Sequence, residues 1–124
     1  MNHSTDAVAR HLPVKPILFW LLLVLVDGPS HGYGLLKQIE HRTEGRIRLE
    51  PGNLYRYVKK LLDAELICET DPPPDADSDD DRRRYYELTP LGRAVAGAEA
   101  ARMRTLVTAA EQLHLIGPDE AASR

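Results

Sequence analysis

The ten residues Ile17 to Val26, ILFWLLLVLV, contain no polar side chain, and this limits the architecture more than any other feature of the chain. A helix that is apolar all round has no face for water and must be buried on more than one side. It is also too short to cross a membrane, since ten residues are about half of a bilayer span. Asp27, Gly28 and Pro29 follow where the small-residue cleavage site of a secretory signal would stand. So the stretch, although preceded by Arg10 and Lys15, is expected to be a core helix running from Val14 or Pro16 to Val26 and ended by Asp-Gly-Pro. With 124 residues the chain makes one domain, and one small domain rarely surrounds such a helix on all sides. The surplus apolar surface, including Phe19 and Trp20, points to a partner subunit.

A second stretch, Glu50 to Leu62 (EPGNLYRYVKKLL), divides cleanly into two faces. Leu54, Tyr57, Val58, Leu61 and Leu62 fall at helical spacing and form one oily stripe. Asn53, Arg56, Lys59 and Lys60 share the other face, with no carboxylate before Asp63. Pro51 suits the first helical position, where its missing N–H would have been unpaired anyway. The chain's net charge of −3 hides this local excess: Lys37 to Lys60 holds seven cations against three anions.

The rest of the chain arranges itself around these two helices. Residues 1–12 show no clear period and read as a flexible arm. Ser30 is placed to cap a helix running to Thr43, with Tyr33, Leu35, Leu36 and Ile39 as its inner face. Gly32 and Gly34 weaken that helix but let another backbone, a phosphate or the first helix come close. Gly45 closes it, and Arg46 to Leu49 alternates as a short strand or extended connection would. Leu66 to Thr70 and Arg84 to Leu88 are strand-like runs on either side of a loop rich in proline and aspartate, hence a hairpin. Thr89 and Pro90 open a final helix reaching to about Ile116, which would be about 39 Å long and too long for one small domain to cover. Its second half carries Met103, Leu106, Ala110 and Leu113 at coiled-coil-like steps, a candidate dimer interface.

The fold class is therefore mainly α with a small β-hairpin: a winged helix-turn-helix followed by a long C-terminal dimerisation helix. The domain boundaries expected are a flexible arm over 1–12, the winged helix-turn-helix over 13–89, the dimerisation helix over 90–117 and a loose tail over 118–124. A B-form major groove admits one α-helix, whose exposed side chains meet base edges while flanking cations hold phosphates. Asn53 suits adenine and Arg56 guanine; Lys59 and Lys60, further along, suit the backbone.

Three blocks in order, ILFWLLLVLVDGPSHGYGLLKQIE, LEPGNLYRYVKKLLDAELI and RRRYYELTPLGR, resemble the PadR-like transcriptional regulators over Ile17 to Gly92. The resemblance implies a dimeric repressor that binds double-stranded DNA at an inverted-repeat operator and is released by a small aromatic or drug-like effector. A single C-terminal helix is similar to the branch with the shorter tail. By position the resemblance points to Asn53, Leu54, Tyr55 and Arg56 on the recognition helix and to Arg82, Arg83 and Arg84 at the wing. Glu50 stands where many relatives have a serine cap, and Asn53 where threonine is common, so base preference is expected to differ.

The wing loop departs most. Residues 71–84 hold six aspartates and three arginines. The arginines reach the DNA backbone while the aspartates project into solvent, or the two pair until DNA separates them. A calcium loop fails at two places: Asp80 replaces the required glycine and Tyr86 the bidentate glutamate. Phe19, Trp20, Met103 and Leu106 are the candidates to line an effector cavity between protomers, with a closed dimer core as the alternative. No cofactor, metal or membrane is expected: the five histidines lack ligand spacing, and Cys68, the only cysteine, reads as a small buried hydrophobe in a reducing, cytoplasmic protein. No nucleophile with a base, and no phosphate-binding glycine loop, supports an enzyme. The rival function is a winged-helix protein-interaction module docking through its acidic wing loop.

Overall fold

A computed structural model of the chain describes residues 5–74 and 84–117. Its elements are α1 (Thr5–Ala9), α2 (Pro16–Val24), β1 (Ser30–His31), α3 (Gly32–Arg42), α4 (Pro51–Asp63), β2 (Ile67–Thr70), β3 (Tyr85–Leu88) and α5 (Pro90–Gln112). The apolar run forms α2 as its sequence demands, with Leu21, Leu22, Val24 and Leu25 at the centre of the core and Phe19 and Trp20 left half-buried at its edge. α3 and α5 pack on α2, and α3 packs in turn on α4, which contributes Leu54, Val58 and Leu61 to the same core. From α5 only Gly92, Val95, Ala96 and Glu99 are buried, all in its first half.

The joints between elements are specific. Thr43, buried, donates from its hydroxyl to Ile39 O at 2.8 Å and accepts from Ile47 N at 3.1 Å, so one side chain closes α3 and starts the connection to α4. Glu44 and Gly45 follow in left-handed conformations, φ 53° and 78°, and Gly45 N returns to Glu40 O at 2.8 Å. After α4, the Leu66 carbonyl accepts from Thr89 N at 3.1 Å, while the Thr89 hydroxyl donates to Glu65 O at 2.6 Å and accepts from Gly92 N at 2.9 Å. Thr89 thus caps α5 and ties it to the turn that leaves α4. Gly92 lies so close to Leu66 that a Cβ there would overlap the Leu66 carbonyl.

Several elements differ from the sequence expectations. The arm carries a short helix, α1, packed against α5. Ser30 is not the cap of α3: it sits in β1 opposite Tyr86, and the next residue, His31, accepts from Gly34 N through Nδ1 at 3.1 Å. The hairpin is therefore part of a three-stranded antiparallel sheet in the order β1-β3-β2. Tyr33 does not join the inner face of α3 and is 55% exposed, because two residues of helix turn it to the side opposite Leu35. Its ring stacks on His31, with Lys37 Nζ 5.3 Å from its centroid. Residues 46–49 form a connection without strand pairing, α2 ends at Val24 rather than Val26, and α5 ends at Gln112 rather than near Ile116. Cys68 is half-buried, not fully so. No helix of the described residues is long and apolar enough to cross a membrane.

Candidate nucleic-acid interface

Helix α4 exposes the polar and aromatic residues that its sequence marked for contact, whereas Leu54, which the resemblance also pointed to, is buried in the core. Asn53, Tyr55, Arg56, Lys59 and Lys60 are all exposed, on the side away from Leu54, Val58 and Leu61. Glu50 precedes the helix in an extended conformation and makes no side-chain cap bond, so the first amides of α4 are uncapped by their own N-cap residue. The Arg56 guanidinium donates to Asn53 Oδ1 at 2.6 Å and lies 5.9 Å from the centre of the Tyr57 ring. Lys59 Nζ pairs with Asp63 at 3.0 Å, an exposed i,i+4 contact of the kind that yields readily to a phosphate.

Tyr55 is held differently from its neighbours. A Cβ built on Gly32 would stand 3.0 Å from the Tyr55 hydroxyl and 3.3 Å from Leu54 Cδ2. Gly32 is thus the point where α3 makes room for α4, and Tyr55 lies over the first turn of α3 while remaining 55% exposed. The close approach that Gly32 permits is to α4, not to α2.

At the wing, Arg84 is exposed immediately before β3, and its Nη1 is 3.5 Å from Glu69 of β2. Arg82, Arg83 and the aspartates Asp75, Asp77, Asp79, Asp80 and Asp81 lie outside the described residues. On β3, burial and the nearby Glu69 carboxylate raise the Tyr86 phenol above its ordinary pKa, so Tyr86 stays neutral beneath the wing.

Away from this face, Phe19 and Trp20 of α2 meet Met103 of α5 in a groove of about 570 Å³, completed by Pro13, Leu23, Glu99 and Arg102 among others. Leu106 is not among its lining residues. It lies further along α5, where Met103, Leu106 and Val107 are exposed, Ala110 is half-buried and Leu113, just past the helix end, is 80% exposed.

The floor of the groove holds a pair that sequence reasoning missed. Glu99, only 2% exposed, accepts from Val14 N at 3.1 Å and from Arg102 Nε and Nη2 at 2.9 and 2.6 Å. The Arg102 guanidinium first, and the Val14 amide after it, hold the carboxyl below the usual carboxylate range against the opposing effect of burial. Glu-x-x-Arg spacing was the visible signal for this pair; that it would be buried was not. Among the described residues, no group of histidine, cysteine and carboxylate side chains is arranged to hold a metal.

The same architecture recurs in solved structures. A PadR-like transcriptional regulator of Bacillus cereus superposes with a TM-score of 0.66 at 18% identity, covering 92% of this chain and all of the other. Bacillus subtilis PadR in complex with operator DNA superposes at 0.56 and 18% identity, over 68% of this chain and 46% of that one. By sequence, an uncharacterized 37.1 kDa transposon protein of Streptomyces fradiae is 35% identical over 86 residues, 69% of this chain; the chain spans only 22% of that relative's length. Residues 21–98, well over half of the chain, match the model of the transcriptional regulator PadR-like family, and the chain belongs to that family.

Proposed function

We propose that the protein is a sequence-specific, dimeric DNA-binding repressor whose recognition helix is α4. The observation that carries this reading is the exposed polar face of α4: Asn53, Arg56, Lys59 and Lys60 stand together on a helix that is anchored by Leu54, Val58 and Leu61 and flanked by the wing. One helix of this kind fits a major groove, and the exposure of Arg84 beside β3 supports a contact from the wing to the DNA backbone. Bacillus subtilis PadR, which shares the fold, is solved in complex with operator DNA, and this supports DNA as the partner here. The family is one of regulators, and the function here is regulatory rather than enzymatic.

The second half of α5 is the proposed dimer interface, because among the described residues Met103, Leu106, Ala110 and Leu113 all lie outside the hydrophobic core. Two copies joined there would present two α4 helices to half-sites about 34 Å apart, so the operator is an inverted repeat. The groove of Phe19, Trp20 and Met103 runs from the core to the edge of that interface and has the size of a small aromatic effector's site. Binding there would alter the spacing of the two α4 helices and release the DNA.

A gel-shift series tests the central claim. The protein is expected to bind the DNA upstream of its own gene in preference to scrambled DNA, with affinity falling steeply as salt rises. Arg56→Ala should weaken specific binding by roughly 1–3 kcal/mol. Binding indifferent to sequence at physiological salt would sink the reading. For the effector, small aromatic compounds are titrated while Trp20 fluorescence is followed; a compound that shifts the emission should also release the DNA.

A further inference from the structure

Given that α4 is the helix that meets DNA, as proposed above, its two candidate base readers are not independent of each other. Arg56 Nη2 donates to Asn53 Oδ1 at 2.6 Å, and the Arg56 guanidinium carbon stands 5.9 Å from the centre of the Tyr57 ring. An asparagine reads adenine with both ends of its amide, the oxygen accepting from N6 and the nitrogen donating to N7. In this protein the oxygen is already engaged by a cation, in a short charge-assisted bond. Arg56 gives up little by making it, since a guanidinium has five N–H donors and the remaining ones suffice for O6 and N7 of a guanine.

The other side chains of the face are placed elsewhere. Tyr55 lies over Gly32 of α3, and Lys59 is paired with Asp63. Lys60 carries charge but no fork geometry. We infer that Asn53 is a positioning residue and not a base reader: with the Tyr57 ring it holds the Arg56 guanidinium ready, and Arg56 alone selects one guanine in each half-site. Holding a long side chain in place before binding lowers the ordering cost that the complex would otherwise carry.

The division is tested by selecting binding sites from a randomised duplex library with the full-length protein and its variants, and reading base preference position by position. Both residues are exposed, so the substitutions remove no core contact. Wild type is expected to enrich one guanine per half-site, and Arg56→Ala to lower that preference about tenfold or more. Asn53→Ala should lower the preference at the same position, by less, and at no other. The double variant should match Arg56→Ala alone. Asn53→Asp keeps an oxygen toward the guanidinium and loses the amide donor; it should retain the guanine preference while weakening binding to every sequence, because its charge faces the phosphates. Loss of preference at a second position in Asn53→Ala, above all an adenine, overturns the inference, as does an additive double variant or an Asn53→Ala profile identical to wild type. A wild-type protein that enriches no sequence overturns the DNA reading itself, and this inference with it.

Discussion

Helix α4 and the second half of α5 both stand partly uncovered, and they differ in what they leave to solvent. Along α4 the buried stripe of Leu54, Val58 and Leu61 is balanced by an amide and three cations, which water solvates well. Along α5 beyond Glu99 no residue is fully buried, and the exposed side chains include Met103, Leu106 and Val107, with Leu113 following. A charged face is stable alone and waits for a charged ligand; an apolar stripe on a helix this long is costly until something covers it. On the proposed reading the two associations would therefore differ in standing: the α5 contact would belong to the protein's resting state, whereas the α4 contact would be conditional and sensitive to salt.

The first half of α5 is what gives this difference a fixed geometry, and the substitution with the greatest consequence lies there. Gly92 abuts the Leu66 carbonyl, which also accepts from Thr89 N. Backbone cannot retreat as a flexible side chain can, so Gly92→Ala must push α5 away from the turn that leaves α4. A loss of about 3 kcal/mol or more in chemical denaturation is expected, with both faces displaced together. A variant of unchanged stability would show that α5 is not locked to α4 at this point.

Next in size is the apolar stripe itself. Leu106→Glu puts a carboxylate on the proposed interface while touching nothing in the core or the groove. Self-association, read by sedimentation, should weaken at least tenfold, or about 1.4 kcal/mol, and operator binding should fall with it because two linked half-sites become two separate ones. A dimer of unchanged affinity would show that the second half of α5 is not the surface that joins two copies.

Both faces were legible in the sequence because each repeats at helical period over many residues. The Thr89-Pro90 start of α5 was legible too, since a hydroxyl cap and a proline at N1 act locally. What escaped depends on partners far along the chain. Strand β1 is two residues long and exists through its pairing with Tyr85 and Tyr86, so no local pattern announces it. His31 takes the place of Ser30 as the cap of α3 because both residues pair in β1 and the helix begins only at Gly32, so His31 is the residue before its first turn. Tyr33 is apolar enough to read as part of the inner face of α3, yet Leu35 and Ile39 set the buried side and Tyr33 falls opposite it. The Asn53–Arg56 and Glu99–Arg102 pairs have visible spacing, but neither spacing nor composition says that one would be exposed on the polar face of α4 and the other buried under a groove.

The buried pair gives a third, smaller prediction. The Glu99 carboxyl lies below its ordinary value of about 4.5, so its ionised form is favoured by folding. A group with a depressed folded pKa contributes its full stabilisation above the unfolded value and loses it as pH falls through the folded one. Thermal melts of the wild type should therefore decline below about pH 4.5. Glu99→Gln should melt lower than wild type at neutral pH, with the gap narrowing in acid. A constant gap across the range would mean that the charge of Glu99 contributes nothing and only its shape matters.

The smallest effect isolates the cationic face from everything that holds it up. Lys60 is exposed on α4, belongs to no ion pair among the described residues and touches none of the core. If it meets a phosphate, Lys60→Ala should leave the melting temperature and the dimer unchanged and weaken operator and scrambled DNA by the same factor. The slope of log affinity against log salt should become shallower by about 0.9, the share of one neutralised phosphate. Arg56→Ala makes the contrast within the same helix, since it should cost sequence preference that Lys60→Ala retains. Should Lys60→Ala instead alter which sequences are preferred, the division of α4 into a reading end and a holding end would have to be redrawn.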